Sequence, residues 1–201
     1  MFEDTYKTLQ HESQGIYTEK GSKFIAFALP VTSEEEIKGK LAEIKKKYYD
    51  ARHHCYAYIL GPDKAVFRMN DDGEPSSTAG RPIYGQLLSH DITNVLIVVV
   101  RYFGGTKLGV PGLINAYRTA AKDAIEANTI IEKTIDETYE IRFDYAAMNP
   151  VMQILKHDGI KINGQSYEDR YILDFTLRRR DADRILEALR KIPGLKVKFL
   201  R

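Results

Sequence analysis

The sequence predicts an α+β protein that consists of two domains. The first observation is an unbroken run of apolar, mostly β-branched residues, Val95–Val100, which is typical of a buried strand. The second is the helical spacing of the apolar residues that follow Gly112. The third is the order of elements after residue 136, which reads βαββαβ. We therefore place the domains at residues 1–135 and 136–201.

The composition is that of a globular protein. The chain has 201 residues, of which 43% are hydrophobic, enough to build real cores. Thirty basic and twenty-eight acidic residues leave a net charge of +2, so any binding of nucleic acid must come from a local patch.

Two further features bear on the compartment. Cys55 is the single cysteine and cannot form an internal disulfide, and the start MFEDTYKTLQ lacks the basic and apolar regions of a signal peptide. No apolar run reaches the roughly 20 residues needed to cross a bilayer. We expect a cytoplasmic protein without a membrane partner.

The elements of the first domain follow from local patterns. Residues 15–31 read as two strands around the hairpin turn Lys20-Gly21-Ser22. Ser33 and Glu36 form a capping-box pattern before an apolar-periodic stretch, which predicts an amphipathic helix to about residue 49. Two strands then follow at 54–60 and 65–69, joined by a Gly-Pro turn.

A short helix should begin near Ala79. Proline is tolerated in the first helical turn, and the hydroxyl groups of Ser76, Ser77 and Thr78 are placed to cap the helix. The buried strand at 95–100 comes next, and a glycine-rich loop leads from it into a helix with apolar residues from Leu113 onward.

The second domain is compact and has a clear order of elements. The pattern predicts strands at 139–145, 160–165, 171–177 and 195–200, and helices at 150–157 and 182–191. This βαββαβ order is that of the ferredoxin-like fold.

The glycine-rich loop is the strongest candidate for a binding site. Its cations and aromatics lie beside glycine backbone and could hold a phosphate and stack a base; they are Arg101, Tyr102, Lys107, Tyr117 and Arg118. The glycines concerned are Gly104, Gly105, Gly109 and Gly112. The loop has neither Walker A nor Rossmann spacing. A connection that needs glycine only to turn is the alternative.

An acidic cluster precedes the predicted short helix. Asp71, Asp72 and Glu74 could hold a divalent cation or act as acid and base, or they could simply form a turn. The polar stretch that follows adds hydroxyl groups and Arg81. Such a surface must satisfy its own polar groups or those of a ligand.

The segment Arg52–Cys55 contains two histidines and a cysteine, but its spacing argues against a metal. Adjacent residues of a strand point to opposite faces, so His53 and His54 cannot both face one ion. Arg52 and one of the histidines could still face a ligand or phosphate. We expect no metal, no cofactor and no catalytic nucleophile.

Three segments together resemble a known family. RHHCYAYILG, DDGEPSSTAGRPIYGQL and VVVRYFGGTKLGVPGLINAY are similar to the IMPACT family, which is also known in bacteria as the YigZ type. The resemblance implies an N-terminal domain with a βαβ fold like that of ribosomal protein S5 domain 2. It also implies a ferredoxin-like C-terminal domain similar to domain V of translocation factor G.

The resemblance leaves two hypotheses about function. Eukaryotic relatives regulate translation, but they carry a different extra domain, and for bacterial members the resemblance implies a role in binding RNA or the translation machinery. We therefore favour a non-enzymatic protein that binds RNA or ribosome-associated factors. The alternative is an enzyme or binding protein for a phosphorylated small molecule or nucleotide, which would use the glycine loop with Asp71, Asp72 and Glu74.

The residues that we expect at the nucleic-acid or anion site come from all three segments. They are Arg52, His54, Asp72, Glu74, Ser76, Ser77, Thr78, Arg81, Arg101, Tyr102, Gly104, Gly105, Lys107 and Gly109.

Overall fold

A computed structural model of the chain describes residues 4–201. They form two compact units, Tyr6–Lys133 and Thr134–Arg201, the latter including Asp4 and Thr5. The expectation about a signal peptide rests in part on residues 1–3, which lie outside the described range.

The elements of the first part of the chain agree with the predicted strands and helices and add two short strands. They are β1 (Thr5–Leu9), β2 (Ser13–Glu19), β3 (Ser22–Pro30), α1 (Glu34–Lys47), β4 (His53–Leu60), β5 (Val66–Asn70), α2 (Gly80–Ser89), β6 (Val95–Tyr102), α3 (Gly109–Glu126) and β7 (Ile130–Thr134). The sequence analysis missed β1 and β7, which pair with each other in a small separate sheet.

The main sheet of this unit has the strand order β2-β3-β6-β4-β5, and every neighbouring pair is antiparallel. Helix α1 covers one face, and α2 and α3 cover the other, so a separate apolar core lies on each side. Strand β6 is central and buried on both faces, and this explains its continuous apolar run.

The first helix begins as its capping pattern predicts. Ser33 adopts an extended backbone conformation, and its hydroxyl accepts a hydrogen bond from the backbone N–H of Glu36. The carboxylate of Glu36 reaches back and accepts a hydrogen bond from the backbone N–H of Thr32. Acidic residues fill the first turn and lysines the last, which complements the helix dipole.

The second part of the chain has the predicted order. Its elements are β8 (Asp136–Phe143), α4 (Met148–His157), β9 (Lys161–Tyr167), β10 (Tyr171–Arg178), α5 (Arg179–Arg190) and β11 (Lys196–Phe199). The sheet order is β11-β8-β10-β9 with antiparallel neighbours, as the ferredoxin-like fold requires. An independent core lies between this sheet and the two helices.

Within residues 4–201, no helix is both long enough and apolar enough to cross a membrane.

Candidate functional site

An open cavity of about 390 Å³ lies where β6 leads into α3. It brings the acidic loop and the glycine loop together, as the site hypothesis requires. Its lining consists of Glu74, Pro75, Arg101, Phe103, Lys107, Leu108, Gly109, Val110 and Leu113.

The floor of the cavity is a buried ion pair. Arg101 donates from Nη1 to Oε1 of Glu74, and both side chains are almost fully buried. The hydroxyl of Tyr117 donates to the same carboxylate oxygen at 2.7 Å. The guanidinium carbon of Arg101 lies 5.4 Å from the ring centre of Phe24 and 5.7 Å from that of Phe103. The charge of Arg101 is therefore largely balanced by Glu74 before any ligand arrives.

Cys55 lies beneath this pair. Its thiol donates to the backbone carbonyl of Asp71 at 3.0 Å, and its sulfur lies 3.3 Å from the hydroxyl of Tyr117. Burial raises the pKa of the Cys55 thiol and the pKa of Tyr117, so both groups stay protonated at neutral pH. Because thiolate is the nucleophilic form, Cys55 is a packing residue.

Asp71 holds the start of α2. Its carboxylate accepts hydrogen bonds from the backbone N–H groups of Ser77, Ala79 and Gly80 at 2.8–3.1 Å. This corrects the expectation that the hydroxyl groups of residues 76–78 cap the helix. The Thr78 hydroxyl instead donates to the carbonyl of Pro75 at 2.6 Å.

Asp72 is directed toward the start of β4. Its carboxylate accepts a hydrogen bond from the backbone N–H of His54 at 2.7 Å. The His54 side chain is buried on the α1 side of the sheet, where its Nε2 lies 2.9 Å from the carbonyl oxygen of Tyr48. Arg52 is exposed. Asp71, Asp72 and Glu74 thus bind three different groups of the protein and do not converge on one ligand, as the enzyme hypothesis would require.

Tyr102 and Phe103 lie on different sides of the sheet. Tyr102 packs with the core on the α1 side, and its hydroxyl donates to Asp50 at 2.7 Å. Phe103 lines the cavity and is 55% exposed. The aromatic side chain at the candidate site is therefore Phe103, which the sequence analysis did not select. A signal was present, because residues two apart in extended chain point to the same side, and Phe103 follows Arg101 by two just after the end of β6.

The glycines of the loop serve different purposes. A Cβ at Gly104 would lie only 1.9 Å from the backbone carbon of Gly21, so this glycine is required where the loop packs on the β2–β3 hairpin. Gly105 and Gly109 have φ values of 88° and 72°, in the left-handed region. In the described structure, the cap position of α3 is Leu108, which offers no side-chain acceptor, and its first turn holds no acidic residue. The free N–H groups of that turn can donate hydrogen bonds to an anion.

A second open cavity of about 540 Å³ lies between α2 and α3. It is lined by Ser77, Arg81, Pro82, Gly85, Gln86, Ile114 and Arg118. Val110 lines the first cavity, and Ile114 and Arg118 line the second. Because these three residues are spaced four apart along α3, they lie on one face of the helix, and the two cavities are neighbours.

Three exposed cations mark this face: Lys107, Arg81 and Arg118. Among residues 4–201, none of the three forms an ion pair. We refer to them, together with Phe103, as the cationic face. In the same range, no group of three or more His, Cys, Asp or Glu side chains is arranged to hold a metal ion.

Comparison with known proteins identifies relatives of the whole chain. The model of the Impact N-terminal domain matches residues 20–125. The IMPACT family member YvyE of Bacillus subtilis is 27% identical over 91% of this chain and 84% of its own length. The IMPACT family member YigZ of Escherichia coli is 32% identical over 79% of this chain and 78% of its own length.

One solved structure also matches from end to end. A crystal structure described only as that of a hypothetical protein superposes with a TM-score of 0.77 and 26% sequence identity, covering 100% of this chain and 99% of that one. The similarity in both sequence and structure therefore extends over both units.

Proposed function

The chain belongs to the IMPACT family, and we propose that it is a non-enzymatic protein that binds single-stranded RNA, including exposed ribosomal RNA, and so modulates translation. The observation that carries the proposal is the cationic face. Lys107 and the exposed ring of Phe103 line an open cavity at the uncapped start of α3, and Arg81 and Arg118 line the neighbouring cavity between α2 and α3.

The chemistry of this face fits a single strand better than a duplex. Lys107, Arg81 and Arg118 are spread along one surface, so they can contact successive phosphates. Phe103 offers a stacking surface for an unpaired base, and stacking is the usual means by which proteins bind single strands without reading their sequence. We expect the protein to work in the cytoplasm, where ribosomes are found.

The buried ion pair positions this face and does not itself carry the binding charge. Glu74 neutralises Arg101 and fixes the acidic loop against the end of β6. The exposed Lys107 is therefore the main cation of the first cavity.

The test is binding of a fluorescein-labelled single-stranded RNA at low salt, with purified ribosomes in a parallel co-sedimentation assay. We expect the double variant Lys107→Glu/Arg118→Glu to weaken RNA binding by about tenfold or more, because each lost phosphate contact removes electrostatic attraction. Phe103→Ala should weaken it by about 1 kcal/mol or more through lost stacking.

The matched control is Lys38→Glu/Lys46→Glu, which makes the same change in net charge with two exposed lysines of α1, across the sheet. It should leave RNA binding almost unchanged. If neither RNA nor ribosomes bind at low salt, or if both double variants weaken binding equally, the proposal is wrong.

A further inference from the structure

Strand β5 forms one edge of the main sheet, and its outer side is open. In the strand order β2-β3-β6-β4-β5, its one strand partner among the described residues is β4. The opposite edge strand, β2, is covered by α3, since a Cβ at Gly15 would lie 2.5 Å from the backbone nitrogen of Ala124. Helix α2 approaches only the end of β5, where a Cβ at Gly80 would lie 2.7 Å from the backbone nitrogen of Asn70. The other four residues of β5 stay exposed.

The edge has only part of the usual protection against pairing. Exposed edge strands are generally guarded by short length, charged side chains, proline, a bulge or a covering element; β5 has five residues and one charged side chain, Arg68, but no proline and no bulge. The sequence of β5 is VFRMN, and its register with β4 runs without interruption. Four of its five residues are exposed. Its outward backbone N–H and C=O groups are therefore available to another strand.

An apolar strip runs beside this edge on the α2 side. Phe67 is 50% exposed and its ring centre lies 5.2 Å from that of Tyr84. Met69 points to the same side of the strand as Phe67, and Leu88 lies one helical turn beyond Tyr84. Met69 and Leu88 are 39% and 49% exposed. An added strand could cover these side chains with apolar residues at every second position.

The other side of β5 carries a single charge. Arg68 is exposed and forms no ion pair with any residue in the described range 4–201. If β5 of a second copy paired antiparallel about its centre, Arg68 would face Arg68, which is unfavourable. A carboxylate at that position of the added strand would be favourable instead. The positive charge of Arg68 thus favours pairing of β5 with an acidic segment of another protein over pairing with β5 of a second copy.

We infer that the open edge of β5 is a docking site for an extended, acidic and apolar segment of a partner protein, which adds to the sheet as a sixth strand. Its apolar side chains cover Phe67, Met69 and Leu88, and a carboxylate pairs with Arg68. Main-chain hydrogen bonds supply affinity and the alternating side chains supply specificity. This site is separate from the cationic face and does not depend on RNA binding.

Two synthetic peptides of about eight residues, the usual length of a strand, test the inference with the full chain. One alternates valine with glutamate, and the other alternates valine with lysine. We expect the glutamate peptide to bind at least about tenfold more tightly, a difference of about 1.4 kcal/mol. It should also slow hydrogen exchange at alternate amides of β5, since only every second N–H faces outward.

Two variants and a control sharpen the test. Arg68→Glu should reverse the preference toward the lysine peptide, and Phe67→Ser/Met69→Ser should weaken both peptides. Ile16→Ser, which replaces a side chain that is 54% exposed on the other edge strand, should change nothing. All of these variants should bind RNA as the unmodified chain does. A loss of peptide binding at β5 is therefore distinguishable from a failure of the proposed RNA binding.

Several outcomes would overturn the inference. They are equal binding of the two peptides, no binding of either at millimolar concentration, or protection that falls outside β5. Self-association through β5, seen as a dimer in light scattering that Phe67→Ser/Met69→Ser abolishes, would also overturn it in favour of a second copy.

Discussion

At the scale of single residues, the buried pair of Arg101 and Glu74 should contribute strongly to stability. Both side chains are almost fully buried, so removing one partner leaves an uncompensated buried charge. We expect Arg101→Met to lower the free energy of unfolding by about 3 to 5 kcal/mol. Urea denaturation of the purified variant measures this loss.

The double variant Glu74→Leu/Arg101→Met provides the control for that prediction. Because it removes both charges and replaces them with apolar side chains, it should be more stable than Arg101→Met alone. Additive losses from the two single changes would show that the pair is not coupled and would contradict the description of the cavity floor.

Tyr58 gives the protein a measurable sensitivity to alkaline pH. Burial, together with the hydrogen bond that its hydroxyl donates to Glu34, raises the pKa of Tyr58 to about 12. An unfolded tyrosine has a pKa of about 10. The folded state thus favours the protonated form of Tyr58, and this contributes to the free energy of unfolding. The contribution is fully present below a pH of about 10 and is lost as the pH rises from about 10 toward 12.

Replacing Tyr58 by phenylalanine should remove that sensitivity. Between pH of about 9 and 11, the free energy of unfolding of the unmodified chain should fall by on the order of 1 kcal/mol more than that of Tyr58→Phe. Urea denaturation at the two pH values measures the difference. Equal losses in the two proteins would mean that Tyr58 titrates normally.

Among helices and strands, the start of α2 depends on a residue outside the helix. Asp71 accepts three hydrogen bonds from backbone N–H groups in this region. We expect Asp71→Ala to lower the free energy of unfolding by about 1 to 3 kcal/mol, because the N–H groups of the buried residues Ala79 and Gly80 lose their acceptor. Hydrogen exchange should speed up in the first turn of α2.

Ser76→Ala is the control for this change. The Ser76 side chain is exposed and Asp71 already holds the N–H groups, so the substitution should alter stability by less than about 0.5 kcal/mol. A larger loss of stability from Ser76→Ala than from Asp71→Ala would contradict the role of Asp71 and would support the hydroxyl cap that the sequence predicted.

The glycine loop depends on close packing at one position. A Cβ at Gly104 would overlap the backbone of the β2–β3 turn, so Gly104→Ala should cost about 2 kcal/mol or more. A Cβ at Gly39, in the middle of α1, meets nothing within 4 Å. Gly39→Ala should therefore stabilise the protein by up to about 1 kcal/mol. Thermal denaturation distinguishes the two, and similar effects at both positions would contradict the packing described.

For the whole molecule, the net charge is only +2, so the number of phosphate contacts sets how RNA binding should depend on salt. If three exposed cations contact phosphates, the slope of log K against log salt should be about −2, since each contact with a single strand contributes about −0.7. Lys107→Glu/Arg118→Glu should bring the slope above about −1. A much steeper slope would point to cations outside the cationic face.

Much of the fold follows from local pattern. The period-two and 3.6-residue repeats placed the strands and helices of the main sheet and the βαββαβ order of the second unit, because burial selects apolar residues at those intervals. The strands β1 and β7 were missed. They are short and partly exposed, so little apolar periodicity marks them.

The candidate site was only partly predictable for a different reason. The composition of the acidic loop and of the glycine loop singled them out in the sequence, and both loops belong to the segments that resemble the IMPACT family. The sequence could not show that Glu74 pairs with Arg101 or that Asp71 caps α2. The contact of Glu74 with Arg101 depends on β4 and β6 lying side by side, although the two strands are far apart in the chain. The contact of Asp71 is local, but several carboxylates and hydroxyl groups in the same segment could have made it.

The sequence by itself thus determined the class of fold, the family and the two loops that meet at the site, since these depend on patterns within short segments. The tertiary structure decided which residues face the cavity. It turned His54 and Tyr102 to the α1 side, used Asp71 and Asp72 to hold backbone, and left Phe103 and Lys107 at the cavity. The physical reason is that the facing of each side chain depends on strand order and layer packing, which residues distant in the chain establish together.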